Sequence, residues 1–156
     1  MRTPTPANER CSIARSLTVL GEKWTLLVVR DVRLGYTRFS DIRSRLGVAP
    51  DVLTDRLTKL VDVGVLSRRS YREEGARERE EYVLTPAGLE LVPVLAALNQ
   101  WGDEHLPTGF GSASRYVDAE TGRPLRVAFV DEEGRVRSLG EVEIARGPGA
   151  LAPGAR

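Results

Sequence analysis

Between residues 11 and 106, apolar side chains return at helical spacing in five stretches, and one intervening segment changes period. Ile13, Leu17 and Leu20 at i, i+4 and i+7 predict a first helix from Cys11 to Leu20, with Gly21 where a C-cap would stand. From Glu22 to Leu34, Trp24, Leu27, Val28 and Asp31 interleave with Leu26, Val29 and Val32. This is apolar almost all round, as in a helix central to a small core, and Gly35 ends it. Thr37 is the expected N-cap of a third helix, Arg38 to Leu46, whose Phe39, Ile42 and Leu46 share a face and whose stop is Gly47. After Val48 and Ala49, Pro50 suits the first turn of a fourth helix reaching about Val63, with Leu53, Leu57, Leu60 and Val61 on one side.

The period then switches. Val65 to Arg72 and Glu81 to Thr85 are β-rich and flank Glu73 to Glu80, a charged stretch with Gly75 that reads as a hairpin tip. Thr85-Pro86 caps a fifth helix to about Leu106, which Pro93 should kink. Its Leu89, Leu91, Val92, Val94, Leu95, Leu98 and Trp101 cover more than one face. Beyond Pro107 the composition turns to Gly, Ser, Arg and acidic residues. There Leu125 to Val130, Val136 to Leu139 and Val142 to Ile144, separated by turn signals, predict a small β appendage. The expected fold class is α+β, mainly helical. The expected layout is an N-terminal arm (1–10), a helix-and-hairpin domain (11–106), a β-rich extension (107–147) and a tail (148–156).

Composition removes several function classes. The 156 residues carry 23 Lys+Arg against 22 Asp+Glu, but residues 1–85 hold 16 basic against 12 acidic side chains and residues 86–156 hold 7 against 10, so the front is basic. A single cysteine forbids an internal disulfide, and with one histidine leaves the usual metal spacings nothing to form from; neither metal nor cofactor is expected. The longest apolar runs fall far short of the roughly 18 residues a membrane span needs. The polar start with Pro4 and Pro6 lacks a secretory h-region, so a cytoplasmic location is expected. A Gly-rich phosphate loop and a G-x-S-x-G elbow are both missing, which argues against an enzyme. Asp131, Glu132 and Glu133 read as a solvated turn, because EF-hand ligand alternation is lacking.

Helix, helix, short linker, helix, then an Arg-bearing hairpin is the order of a winged helix-turn-helix, in which the helix before the wing enters the major groove of double-stranded DNA. At 100° per residue from Leu53, the side chains of Leu57, Leu60 and Val61 stay within a narrow arc, while Asp51, Asp55, Thr58 and Lys59 point away. Thr54 and Arg56 flank the buried stripe, where their tips could reach a phosphate or a base edge. In the wing, Arg68, Arg69, Arg77 and Arg79 are candidate DNA contacts. At the third helix, Thr37, Arg38 and Ser40 could offer side chains and N-terminal amides to a phosphate. Two acidic residues on the recognition face and five in the ribbon support an alternative, a winged-helix protein-interaction module.

Several short motifs allow a closer match. Cys11, Gly21-Glu22-Lys23-Trp24-Thr25-Leu26-Leu27, Arg38-Phe39-Ser40-Asp41-Ile42, Leu53-Thr54-Asp55-Arg56-Leu57, Tyr82-Val83-Leu84-Thr85-Pro86-Ala87-Gly88 and Trp101-Gly102 together resemble the HxlR family of bacterial winged-helix regulators. The resemblance covers residues 11 to 106. It implies a cytosolic homodimer, usually a repressor or local activator, paired through its first and last domain helices. Ile13, Leu17, Leu20, Leu91, Leu95, Leu98 and Trp101 are the expected interface. It also suggests Cys11 as a sensor of oxidants or electrophiles, beside the plain reading of a small buried hydrophobe, with a small-molecule effector as the other source of a signal.

Overall fold

The fold comes from a computed structural model that describes residues 9–75 and 77–150. Most of the expected N-terminal arm, and the tail after residue 150, lie outside the described residues. The chain forms two compact units, divided after Glu90.

The first unit runs α1 (Ser12–Leu20), α2 (Lys23–Arg33), α3 (Phe39–Leu46), α4 (Pro50–Asp62), β1 (Leu66–Tyr71), β2 (Arg79–Leu84) and α5 (Pro86–Leu89). Its core is the apolar stripes of α2, α3 and α4, with Val48 and Leu66, turned to a common centre. Val28, Val29 and Val32 of α2, Ile42 of α3, Val48, Leu53, Leu57 and Leu60 of α4, and Leu66 of β1 are all buried. Removing each such Leu or Ile from water contributes about 1.5–3 kcal/mol, so the stripe fixes which side of α4 is inside. The α3–α4 turn follows from local chemistry: Gly47 takes the left-handed conformation (φ 62°) that closes α3, and Pro50 opens α4 where its missing N–H is harmless.

Strands β1 and β2 pair antiparallel from Leu66 opposite Leu84 to Tyr71 opposite Arg79. The ribbon is longer on its return side than expected. Arg79 and Glu80 lie in the strand rather than the tip, because Arg68–Glu80 (3.9 Å) and Arg69–Glu81 (2.8 Å) pair across it. Thr37 is not the cap of α3. Arg38 occupies that position without a side-chain bond, while the Thr37 hydroxyl donates to Glu81 (2.5 Å) and its carbonyl accepts from the Tyr82 amide (2.8 Å). The residue before α3 is thus tied to the wing.

The expected fifth helix is two. Its first turn is as expected: Thr85 accepts from the Gly88 amide (3.1 Å) and Pro86 sits at the start. But α5 stops at Leu89 and α6 (Val92–His105) begins afresh, so Leu91 precedes the helix. Pro93 in a continuous helix would collide with the carbonyl of Leu89 four residues back. Restarting places it in a first turn, so it ends one helix instead of kinking one.

The second unit joins α6 to a largely irregular segment. The appendage holds less strand than expected: β3 (Phe129–Val130) pairs with β4 (Val136–Arg137), Val117 bridges Pro124, and Val142 to Ile144 form no strand. Side chains take over the backbone partners. The Gln100 amide oxygen accepts from the Val127 N–H (2.5 Å), and Ser138 with Glu141 caps a short 3-10 turn, Leu139–Glu141. Asp131 does organise a turn, accepting from the amides of Glu133 (3.0 Å) and Arg135 (2.9 Å). Those bonds, and the guanidiniums of Arg135 and Arg137, hold its carboxyl below the usual range. Among the described residues no helix is long and apolar enough to cross a membrane, and no His, Cys, Asp and Glu group has metal-holding geometry.

Candidate nucleic-acid interface

With Leu53, Leu57 and Leu60 fully buried, the rest of α4 is forced outward: Asp51, Thr54, Asp55 and Thr58 are exposed on one polar face. The Thr54 hydroxyl bonds back to the Pro50 carbonyl (2.8 Å), leaving lone pairs and its methyl for a partner. The exposed face therefore offers acceptors and hydroxyls.

The two cations of α4 do not join it. Arg56, expected to reach a phosphate or base, is only 15% exposed and its guanidinium is held by Glu22 and Asp55. Lys59 reaches the same Glu22 carboxylate at 3.2 Å. The reason lies in Glu22 itself. It is the N-cap residue of α2 in extended conformation, yet its side chain makes no cap bond, so the carboxylate is free to cross to α4. The Nε of Arg56 is buried without a partner among the described residues.

Arg38, expected at a phosphate, bonds Glu73 of the wing at 2.7 Å and lies 4.5 Å over the Tyr71 ring. Glu81 gathers the Thr37 hydroxyl and the Arg69 guanidinium, bonds that hold its carboxyl below the ordinary range. The wing is thereby pinned to the start of α3. Ser40, Arg43 and Ser44 line a shallow cleft of about 530 Å³ along α3. Arg77, in the tip, and Arg79, opening β2, are exposed and unpaired among the described residues.

A buried acid underlies this arrangement. Asp31 of α2 has no exposed surface and receives Arg30 (2.7 Å) and Arg45 of α3 (3.2 Å), while Arg45 stacks 3.8 Å from the Tyr36 ring. Sequence reasoning counted Asp31 among the core positions but missed its partner. It also missed Glu22, for which the only signal was an acid at a cap position beside a Gly.

The residues expected at a dimer interface divide. Ile13 and Leu17 of α1 are 71% and 56% exposed, and Leu98 and Trp101 of α6 are 51% and 56% exposed. Leu20, Leu91 and Leu95 are half-buried, and Val94 completes the exposed stripe of α6 at i, i+4 and i+7 with Leu98 and Trp101. Cys11 is exposed at the N-cap of α1 rather than buried as a small hydrophobe.

Comparison with known proteins identifies the family and the fold. The family model for HxlR-like helix-turn-helix proteins matches residues 19–110. An uncharacterized HTH-type transcriptional regulator of Mycobacterium tuberculosis is 43% identical over 96 residues, 62% of this chain and 60% of that one, so the chain spans less than two thirds of this curated relative. Two solved structures of candidate transcription factors are similar over more of the chain. PA1607 has a TM-score of 0.75 at 33% identity, covering 88% of this chain and 95% of its own. PA1374 from Pseudomonas aeruginosa has a TM-score of 0.61 at 35% identity, covering 92% and 97%.

Proposed function

Because the chain belongs to the HxlR-like helix-turn-helix family, we propose that it is a cytoplasmic transcriptional regulator, and no enzyme, that binds double-stranded DNA with the outer face of α4. The observation that carries this is the division of α4 itself: Leu53, Leu57 and Leu60 wholly buried and Asp51, Thr54, Asp55 and Thr58 outward, in a helix preceded in the chain by α3 and followed by an arginine-bearing ribbon. Asp51, Thr54, Asp55 and Thr58 address base edges, where hydroxyls and carboxylates accept from cytosine and adenine amino groups. Ser40 with the α3 amides, and Arg77 and Arg79 of the wing, contact phosphates and supply the sequence-independent part of the affinity, while Arg68 and Arg69 stay paired with Glu80 and Glu81. Arg38 steadies the wing, and Thr37 joins it to α3.

The exposed stripes of α1 and α6 support a homodimer, since contiguous apolar surface left in water favours burial against a second copy. Twofold pairing makes the operator an inverted repeat with half-sites about 10 base pairs apart. Occupying such a site in a promoter makes the protein a repressor. The same reading gives Cys11 the sensing role: it is exposed and starts the helix assigned to dimer contact, so an adduct or an intersubunit disulfide there acts on the dimer.

Selection of bound fragments from genomic DNA, with reduced and oxidised parent and with Cys11→Ser, tests all three parts. An inverted repeat bound with steep salt dependence is expected, weakened by oxidation in the parent only. The acidic α4 face favours one other reading, a protein-contact module, and undetectable or salt-independent DNA binding would select it.

A further inference from the structure

Arg56 and Lys59 are the whole basic complement of α4, and both end on one carboxylate, that of Glu22 at the start of α2. Three acids stand on the same helix, Asp51, Asp55 and Asp62, and of these Asp55 also engages Arg56. In a groove-entering helix, free cations find phosphates first, because every duplex offers them irrespective of sequence. Restraining those cations lowers affinity for all DNA while leaving base-edge contacts intact, which raises discrimination.

We propose that Glu22 is a specificity-determining residue: by holding Arg56 and Lys59 it keeps the recognition helix from binding phosphates, so that what α4 adds is read from base edges. Glu22 acts through those two side chains and touches no DNA itself, so it is a positioning residue. The inference rests on the DNA-binding reading above.

The test compares Glu22→Gln with the parent by fluorescence anisotropy, on the selected operator and on a random-sequence duplex, between 50 and 200 mM salt. Freeing Lys59, and Arg56 as far as Asp55 allows, adds one to two phosphate contacts. The log–log salt slope then steepens by about 0.9 to 1.8, so affinity falls roughly 3- to 12-fold further across that range. Random-duplex affinity at low salt rises more than operator affinity, and their ratio falls. In an Arg56→Gln/Lys59→Gln background, Glu22→Gln leaves the slope unmoved, a result that a loss of folding would not produce. Parent binding with a normal slope that Glu22→Gln does not change, or weaker binding to both duplexes at an unchanged slope, overturns the role of Glu22 alone. Failure of both proteins to bind any duplex overturns the DNA reading, and this inference with it.

Discussion

Replacing Arg45 with Met probes the half-buried ion pair that sets α3 against α2. Met keeps an apolar stem over Tyr36 and removes the guanidinium that donates to Asp31 Oδ2 at 3.2 Å. A hydrogen bond to a charged group contributes about 1.5–3 kcal/mol. Arg45 is 38% exposed, so solvent competes for it and the lower end applies, about 1.5 kcal/mol. Losing the stacked cation adds about 0.5 kcal/mol, for a total near 2 kcal/mol. In a chain of this size each kcal/mol lowers the melting temperature by about 2–4 °C, so a drop of about 4–8 °C is expected by circular dichroism. A double-mutant cycle isolates the cause. In an Asp31→Asn background the same substitution should cost about 0.5 kcal/mol, because the fully buried acceptor is then neutral. Equal losses in both backgrounds, in urea melts with unchanged m-values, would show that Asp31 does not hold α3 and would refute the reasoning.

Other perturbations follow from single contacts. At Gly88 a Cβ would stand 2.3 Å from the Val65 carbonyl oxygen and 2.9 Å from the Leu84 side chain, so Gly88→Ala must displace backbone; a loss of about 2 kcal/mol or more is expected in denaturant melts. Glu81, its carboxyl lowered first by the Thr37 hydroxyl and then by Arg69, stabilises the fold fully above its ordinary value of 4.5. That contribution is lost as pH falls below this toward the depressed folded value. Glu81→Gln should therefore flatten the acid side of the stability profile and converge with the parent at low pH; an unaltered profile would contradict the assignment. Placing a charge in the exposed stripes, Leu17→Glu or Trp101→Glu, should shift a dimer to monomer in sedimentation equilibrium and weaken operator binding with it.

The wing is more than a pair of strands. It is joined to the start of α3 twice, by Arg38 with Glu73 and by Thr37 with Glu81, so the ribbon is tied to the helix-turn-helix. These contacts redistribute the arginines. Arg38, Arg68 and Arg69 face acids of the ribbon, and Arg77 and Arg79 are left open to a ligand. A high local count of basic residues thus overstates how many are free.

What was legible in the residue order was local. Leu53, Leu57 and Leu60 return on one side of a helix whatever else the chain does, and they are the residues buried. Gly47 and Pro50 punctuate the turn between α3 and α4 through their own backbone preferences. The break at Pro93 was locally encoded too, but the apolar pattern running across it masked the clash with Leu89.

Pairing of charge is another matter. Thr37 meets Glu81 across 44 residues, Lys59 meets Glu22 across 37, and Arg45 meets Asp31 across 14. A helical wheel shows Arg56 and Lys59 at the edge and outside of α4 but holds no information on an acid arriving from the start of α2. The order of residues determined the elements, their inner faces and the helix-turn-helix arrangement, because steric preference and periodic burial act within a few residues. Which cations remain free for a ligand was decided only when the elements packed, because Coulomb attraction and hydrogen bonding depend on separation in space, and that separation is a property of the assembled fold.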